Sequence, residues 1–166
     1  KLLNKNKTKE FIIYNNILSL SRNKLFYTKF FLADTFQNRI YLIFFHISFI
    51  FIKVNHNKKK IVYTNFYQKL FDLLFYQIEL NMRELGHGDI TVNKNMKFLV
   101  KAFYDILLFC QDCRRKNNEY KSTFFSQHLK SNTNKKIINN DNLIKYFYAF
   151  QTFCFDLSSD SVLKGE

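Results

Sequence analysis

Proline is absent from this 166-residue chain, and glycine occurs only three times. These two residues interrupt helices and strands more than any others, so a chain that nearly lacks them favours long, uninterrupted elements. Collagen, proline-rich linkers and small β-sandwiches with frequent turns are therefore excluded. The length is typical of one domain, and a hydrophobic content of 47% is enough to fill its core.

Helical periodicity is strongest in the middle of the chain. One predicted helix ends at Gly86, and its apolar positions are Phe66, Leu70, Leu73, Leu74, Ile78, Met82 and Leu85. A second begins near Thr91, with Asp89 or Thr91 as its N-terminal cap. The sequence DTFQ at residues 34–37 resembles a capping box and predicts a helix that runs to about Val54.

Shorter helices are predicted at about residues 11–20, at 119–129 and from about residue 141 onwards. No alternating strand pattern of comparable length competes with them. We therefore predict an all-α fold, a single compact bundle of about five to seven helices over residues 1–166. Because the chain begins at Lys1 rather than at a methionine, we expect further residues to precede it.

The most hydrophobic stretch runs from Tyr41 to Ile52. Twelve helical residues reach only about 18 Å, whereas the hydrocarbon core of a bilayer is about 30 Å thick, so this stretch does not span a membrane. Arg39, His46 and Lys53 recur every seven residues on one side of it. The pattern predicts the central helix of a bundle, while a re-entrant or interfacial membrane helix stays open as the alternative.

The polar residues of this region suggest a buried seam between two helices. Asp72 and Glu79 share one stripe of the following helix with Arg83. Our hypothesis is that Arg39 and His46 meet Asp72 or Glu79 in the core. Such a seam would specify helix register more than it would add stability.

Three cysteines, an odd number, form no disulfide framework and fit a reducing compartment. Cys110 and Cys113 have CxxC spacing and, with His128 and Cys154, supply enough groups for a four-ligand zinc site. However, Cys110 falls on the apolar stripe of its helix, where a free cysteine packs as a small hydrophobic residue. We therefore predict no metal site and no cofactor.

No catalytic motif accompanies these residues. The GHGD sequence at 86–89 is too short for a phosphate-binding loop and predicts a tight connection between helices. An enzyme that uses His46, Asp72 and Glu79 as an acid-base set is an alternative, but it lacks a nucleophile, a cofactor loop and a metal motif. The sequence therefore predicts a binding protein and not an enzyme.

The charge balance points to an anionic partner. Lys and Arg number 26 against 13 acidic residues, a net charge of +13. Because lysine codons are rich in A and T, we expect codon bias to account for part of this excess. We predict that basic clusters attach the protein electrostatically to a membrane surface or ribosome; these are Lys58, Lys59, Lys60, Arg114, Arg115, Lys116, Lys135 and Lys136. A basic helical RNA- or ribosome-binding domain is the alternative function.

Several motifs together resemble the ubiquinol-cytochrome c chaperone family. The sequence ELGHGDITVNK at 84–94, followed by KAFYD at 101–105, is similar to the family's core pattern. YQKLFD at 67–72 and NMRE at 81–84 look like its upstream helix, and DTFQNR at 34–39 followed by His46 is similar to an earlier segment. The resemblance covers roughly residues 21–115, and the remainder is assigned to the same domain by continuity.

The resemblance implies an all-α, non-catalytic assembly factor for respiratory complex III that holds newly made cytochrome b. It also implies a small partner subunit, contact with the ribosomal exit tunnel, and a peripheral location at the cytoplasmic face of the bacterial inner membrane or the matrix face of the mitochondrial one. The family-motif residues carried by this chain are Asp34, Arg39, His46, Asp72, Arg83, Glu84, Gly86, Gly88, Asp89, Lys94, Phe103 and Tyr104.

Overall fold

The computed structural model describes residues 8–55, 61–132 and 138–165, and most of them lie in helices. In chain order these are α1 (Lys9–Ser21), α2 (Leu25–Thr28), α3 (Phe36–Asn55), α4 (Ile61–Glu84), α5 (Asp89–Asp112), α6 (Asn118–His128), α7 (Asn140–Asp156) and α8 (Ser159–Lys164). In the described ranges the strand-like pairing is limited to an isolated antiparallel bridge between Leu32 and Ser131. The predicted all-α bundle is confirmed.

Helix α3 is the centre of the bundle. It packs against α1, α4, α5, α7 and α8, and every residue from Ile40 to Ile52 is buried. This burial explains why the helix is apolar on nearly all sides, and it confirms the prediction of a central helix over an interfacial one. No helix in the described part of the chain is both long and apolar enough to cross a membrane.

Helix α3 begins one residue later than the capping box predicts. The Oγ1 atom of Thr35 accepts a hydrogen bond from the backbone N–H of Asn38 at 3.2 Å, so Thr35 caps the helix. Asp34 instead pairs with Arg39, and the Gln37 side chain donates to the Tyr41 hydroxyl at 2.9 Å. The prediction that Asp34 and Gln37 form the cap is therefore wrong.

Helices α4 and α5 are antiparallel and are joined by a short turn. Six of the seven predicted apolar positions of α4 are buried or half-buried, but Leu85 lies beyond the helix end and is 62% exposed, so its assignment to the core is wrong. Helix α5 begins two residues before Thr91, with Gly88 as its cap and no side-chain capping bond. Asp89 occupies the first turn, where a carboxylate favours the helix dipole.

The ends of the chain pack around this central group. Helices α1, α6 and α7 lie within two residues of their predicted bounds. The short helices α2 and α8 were not predicted, because four and six residues are too few to show a period.

A buried asparagine links the start of α3 to the segment after α6. The Nδ2 atom of Asn38 donates to the carbonyl oxygens of Ala33 at 2.7 Å and Lys130 at 2.8 Å. Its Oδ1 atom accepts from the backbone N–H of Lys130 at 2.9 Å. The side chain thus satisfies the backbone of two distant segments, beside the bridge that joins Leu32 to Ser131.

Candidate functional site

Several family-motif residues meet at one end of the bundle. The start of α3, the end of α4 and the start of α5 lie at this end because consecutive helices are antiparallel. The site contains Asp34, Arg39, Arg83, Glu84, Gly86, Gly88 and Asp89, and we call it the motif end.

Arg83 joins the two sides of the turn between α4 and α5. Its Nε and Nη2 atoms donate to Oε1 of Glu79 at 3.1 and 2.9 Å, and its Nη1 atom donates to Oδ1 of Asp89. Hydrogen bonds to these carboxylates, that of Asp89 first, raise the pKa of Arg83 above its ordinary value. The ion pairs are exposed, so they orient the turn more than they stabilise the fold.

Gly86 gives the turn its direction. Its φ of +87° lies in the left-handed region, where a Cβ atom is strained, and its N–H donates to the carbonyl of Arg83 at 3.0 Å. Gly88 has an extended backbone, with φ of −73° and ψ of 163°. The predicted tight helix-helix connection is confirmed, but the special backbone conformation belongs to Gly86 alone of the two.

Asp34 and Arg39 form a second exposed ion pair at the motif end. The Nε and Nη2 atoms of Arg39 donate to the two carboxylate oxygens of Asp34 at 2.6 and 2.8 Å. These hydrogen bonds lower the pKa of Asp34 and raise that of Arg39. The guanidinium is therefore held in place beside the first turn of α3.

A groove of about 260 Å³ opens at the motif end between α1, α3 and α4. We call it the motif groove. Its lining is mixed, only slightly more apolar than polar, and Arg22, Arg39 and Glu84 are its charged groups. Its lining residues are Tyr14, Leu18, Ser21, Arg22, Phe36, Arg39, Ile40, Ile43, Ile78, Asn81, Glu84 and Leu85.

Phe36 and Leu85 stand at the mouth of this groove as exposed apolar side chains. Leu85 follows the last residue of α4, and its side chain is exposed because the turn at Gly86 directs the chain away from the core. A groove with exposed apolar side chains at its edge and charged groups in its lining is suited to an amphipathic segment of a partner.

The other family-motif residues lie elsewhere. Phe103 is fully buried, and its ring contacts those of Phe44, Phe51 and Phe75. Lys94 and Tyr104 are exposed on α5. Asp72 is exposed on α4 and accepts a hydrogen bond from Gln68 at 2.8 Å. These residues therefore do not form one site with the motif end.

His46 is a satisfied core residue. The carbonyl oxygen of Leu42 lies 2.6 Å from Nδ1 and can only accept, so Nδ1 carries the proton and Nε2 accepts from the Tyr146 hydroxyl at 2.7 Å. Burial lowers the pKa of His46 to about 4 and raises that of Tyr146 to about 12. The ring is neutral at physiological pH.

The hypothesis of a polar seam between α3 and α4 is wrong. Arg39 pairs with Asp34, Glu79 pairs with Arg83, and His46 bonds to Tyr146 on α7. The seven-residue spacing correctly predicted that His46 makes a polar contact, but it assigned that contact to the wrong helix. The spacing cannot identify the partner, because α3 packs against several helices. The proposed acid-base set of His46, Asp72 and Glu79 is likewise not assembled.

The cysteines are not brought together as metal ligands. Cys110 and Cys154 are buried, and burial raises the pKa of both thiols, to about 12 for Cys154. Cys113 is half-buried, and burial also raises the pKa of its thiol. Within residues 8–55, 61–132 and 138–165, no group of three histidine, cysteine or acidic side chains could hold a metal ion.

Only one of the predicted basic clusters can be placed. Lys58, Lys59, Lys60, Lys135 and Lys136 lie outside the described residues. The other cluster is exposed after α5. There the guanidinium of Arg114 lies over the rings of Tyr148 and Phe155, and the ammonium of Lys116 lies over Tyr120. Arg115 approaches Asp112 at 3.7 Å.

Sequence reasoning missed Asn38, Tyr146 and the motif groove. Asn38 lies in a polar segment before an apolar stretch, and nothing in that segment distinguishes a buried residue that bonds to a distant backbone from a surface residue. Phe36 and Leu85 could have been predicted as exposed apolar residues, because they lie next to the ends of helices, where a side chain need not point into the core.

Comparison with known proteins identifies the family. The family model described as ubiquinol-cytochrome C chaperone matches residues 28–166, which extends the likeness through α6, α7 and α8. The crystal structure of the Cbp3 homolog from Brucella abortus has the same fold, with a TM-score of 0.77 at 20% identity over 95% of this chain and 86% of that one. No curated protein matches the chain. Because the family model covers well over half of the sequence, the chain belongs to the ubiquinol-cytochrome c chaperone family.

Proposed function

We propose that this protein is a non-catalytic assembly chaperone for ubiquinol-cytochrome c reductase, complex III, and that it binds newly made cytochrome b. Family membership supports the link to complex III. The observation that carries the binding role is the motif groove, which places exposed apolar side chains beside the family-motif residues Arg39 and Glu84.

The groove suits a client of this kind. A newly made membrane protein exposes apolar helix surfaces that need cover until its partners join. Phe36 and Leu85 would contact such a surface, while Arg39 and Glu84 would meet polar groups at a helix end. A groove of this size accepts a few side chains of a partner helix, which is helix-in-groove recognition.

The lack of an assembled catalytic set supports a non-enzymatic role. In the described residues, His46 is sealed in the core, and Asp72 and Glu79 lie on α4 with other partners. The high thiol pKa values that burial gives Cys110 and Cys154 disfavour thiolate chemistry at physiological pH.

Attachment near the site of synthesis is part of the proposal. We expect Arg114, Arg115 and Lys116 to contact the ribosome near its exit tunnel or the adjacent membrane surface, and a small partner subunit to join the complex. The expected location is the cytoplasmic face of a bacterial inner membrane or the matrix face of a mitochondrial one.

Deletion of the gene tests this function. We expect cytochrome b and complex III to fall while the other respiratory complexes persist, and expression of the intact chain to restore both. Haem difference spectra and native gels measure the two quantities. Unchanged cytochrome b in the deletion strain would overturn the proposal.

RNA or ribosome binding is the second candidate function, and the net charge of +13 favours it. Salt separates the two functions. Binding to single-stranded RNA should weaken with a log-log salt slope of about −0.7 per phosphate contact, whereas apolar client capture should survive about 0.5 M salt.

A further inference from the structure

The outward side of α5 carries a stripe that the fold leaves uncovered. Ile90, Lys94, Lys97, Lys101, Tyr104 and Leu108 are spaced by four, three, four, three and four residues, which places them on one side of the helix. All six are exposed, and Phe98 is exposed at the edge of the stripe. We call these seven residues the outer face of α5.

The opposite side of α5 fixes this orientation. Its buried residues pack against α3 and α4; they are Val92, Leu99, Ala102, Phe103, Ile106, Leu107, Phe109 and Cys110. The helix therefore cannot turn its outer face inward without unpacking the core. From Ile90 to Leu108 the stripe is about 27 Å long.

The net charge of the outer face is positive. Lys94, Lys97 and Lys101 form no ion pair with any described residue. Two of the nearby acidic residues contact arginines, since Asp89 pairs with Arg83 and Asp112 approaches Arg115. Asp105 is exposed beside the stripe, four residues after Lys101, so three lysines stand against one aspartate on this side of the helix. The face is thus complementary to a negatively charged surface.

The apolar residues of the outer face indicate which kind of anionic partner it fits. Ile90 is 87% exposed and Leu108 is 61% exposed, and these side chains stand at the two ends of the lysine row. RNA would satisfy the lysines but offers no partner for two aliphatic side chains. A bilayer offers both, because lysines reach the lipid phosphates while aliphatic and aromatic side chains enter the boundary with the acyl chains.

We propose that the outer face of α5 binds the surface of an anionic phospholipid bilayer. Helix α5 lies flat on the membrane and keeps its place in the bundle. This contact is separate from the motif groove and does not depend on the identity of the client. It also differs from the attachment predicted for Arg114, Arg115 and Lys116, because it combines charge with apolar insertion.

Vesicle flotation of the full chain tests the proposal, with phosphatidylcholine vesicles made with and without phosphatidylglycerol. The intact chain should bind only the anionic vesicles. Replacing all three lysines, as Lys94→Gln, Lys97→Gln and Lys101→Gln, should weaken binding roughly 100-fold, about fivefold for each lysine. The charge-neutral double variant Ile90→Ser with Leu108→Ser should weaken it about tenfold.

A matched control changes the same number of exposed lysines elsewhere, as Lys24→Gln, Lys29→Gln and Lys145→Gln. It should weaken vesicle binding less than about threefold, because only the general charge is reduced. Circular dichroism checks that every variant is folded.

Three results would overturn the proposal. The first is an equal loss in the control triple variant. The second is a loss of vesicle binding only when Arg114, Arg115 and Lys116 are replaced by glutamine. The third is vesicle binding that ignores the Ile90 and Leu108 substitutions while the α5 lysines are needed to bind a single-stranded RNA, which would assign the face to nucleic acid.

Discussion

His46 shows how a polar residue is accommodated at the centre of this bundle. Its two ring nitrogens are both used, one by the helix it belongs to and one by Tyr146. Around it the rings of Phe26, Phe147 and Phe150 make edge-to-face contacts. A protonated ring would lose the hydrogen bond that Nε2 accepts, in a place where water cannot replace it.

The stability of the fold should therefore depend on pH through His46. Its pKa is about 4 in the folded protein and near 6.5 when unfolded, so the unfolded chain binds the extra proton as the pH falls from 6.5 to 4. Stability is retained above pH 6.5 and lost on acidification. Between pH 7.5 and 4.5 we expect this group to cost about 2 to 3 kcal/mol.

The comparison variant for this prediction is His46→Gln, which has no titrating ring. Chemical denaturation of both proteins at several pH values gives the free energy of unfolding. The intact chain should lose about 2 to 3 kcal/mol more than the variant over that range. Equal losses would show that His46 does not titrate as the buried geometry requires.

The sequence could predict at this scale that His46 lies in the core, since it interrupts an apolar helix. It could not predict Tyr146 as the partner, because 100 residues separate the two and only tertiary packing brings them together. For the same reason Asp72 and Glu79 of α4, which are much closer to His46 in sequence than Tyr146 is, were wrongly predicted as its partners.

Among the elements, the helices were largely predictable because proline is absent and their apolar stripes are regular. The ends were harder. Both Asp34 and Asp89 resemble capping residues, yet both form ion pairs with arginines, and the caps are Thr35 and Gly88. The sequence alone does not reveal which of two adjacent polar groups is drawn away by a nearby charge.

The turn between α4 and α5 should tolerate a side chain at one glycine and not at the other. Gly86→Ala should cost about 1 to 2 kcal/mol, because an alanine is strained at a φ of +87°. Gly88→Ala should cost less, about 0.5 kcal/mol, because only the preference of the N-cap for glycine over alanine is lost. The backbone of Gly88 is extended, and nothing lies within 4 Å of the added Cβ atom. Thermal unfolding of the two variants makes the comparison, and equal costs would contradict it.

The contact between the start of α3 and the segment after α6 depends on Asn38. Asn38→Ala removes three hydrogen bonds and leaves the backbone N–H of Lys130 without its partner, so we expect a loss of about 1 to 3 kcal/mol. The carbonyls of Ala33 and Lys130 keep the bonds that the N–H groups of Thr35 and Ala33 donate to them. Asn93→Ala, on the exposed side of α5, is the control and should change little. Urea denaturation measures the free energy of unfolding of both variants. Equal small losses would contradict the prediction, because they would mean that water replaces the hydrogen bonds of Asn38.

For the whole molecule, composition indicated a basic, helical binding protein, and the motifs gave the family. Composition could not locate the binding surfaces, because the lysines are spread over the whole sequence. Only the fold brings Lys94, Lys97 and Lys101 together on one exposed side of α5. The motif groove was also hidden, since its walls come from α1, α3 and α4, which are distant in sequence. The fold thus places the motif groove and a charged helix face on one small bundle.

The central claim is that the motif groove receives newly made cytochrome b. The most direct measurement is the amount of pulse-labelled cytochrome b that co-purifies with the tagged chain during synthesis. Phe36→Asp with Leu85→Asp places charges at the mouth of the groove, and both residues are exposed, so the fold should persist. We expect at least a tenfold loss of labelled cytochrome b, because each buried carboxylate opposes an apolar contact.

The control is Ile61→Asp, an exposed apolar residue at the other end of α4. The account predicts that this variant retains cytochrome b while the groove variant releases it. Equal retention by the two variants, or no labelled cytochrome b on the intact chain, would contradict it.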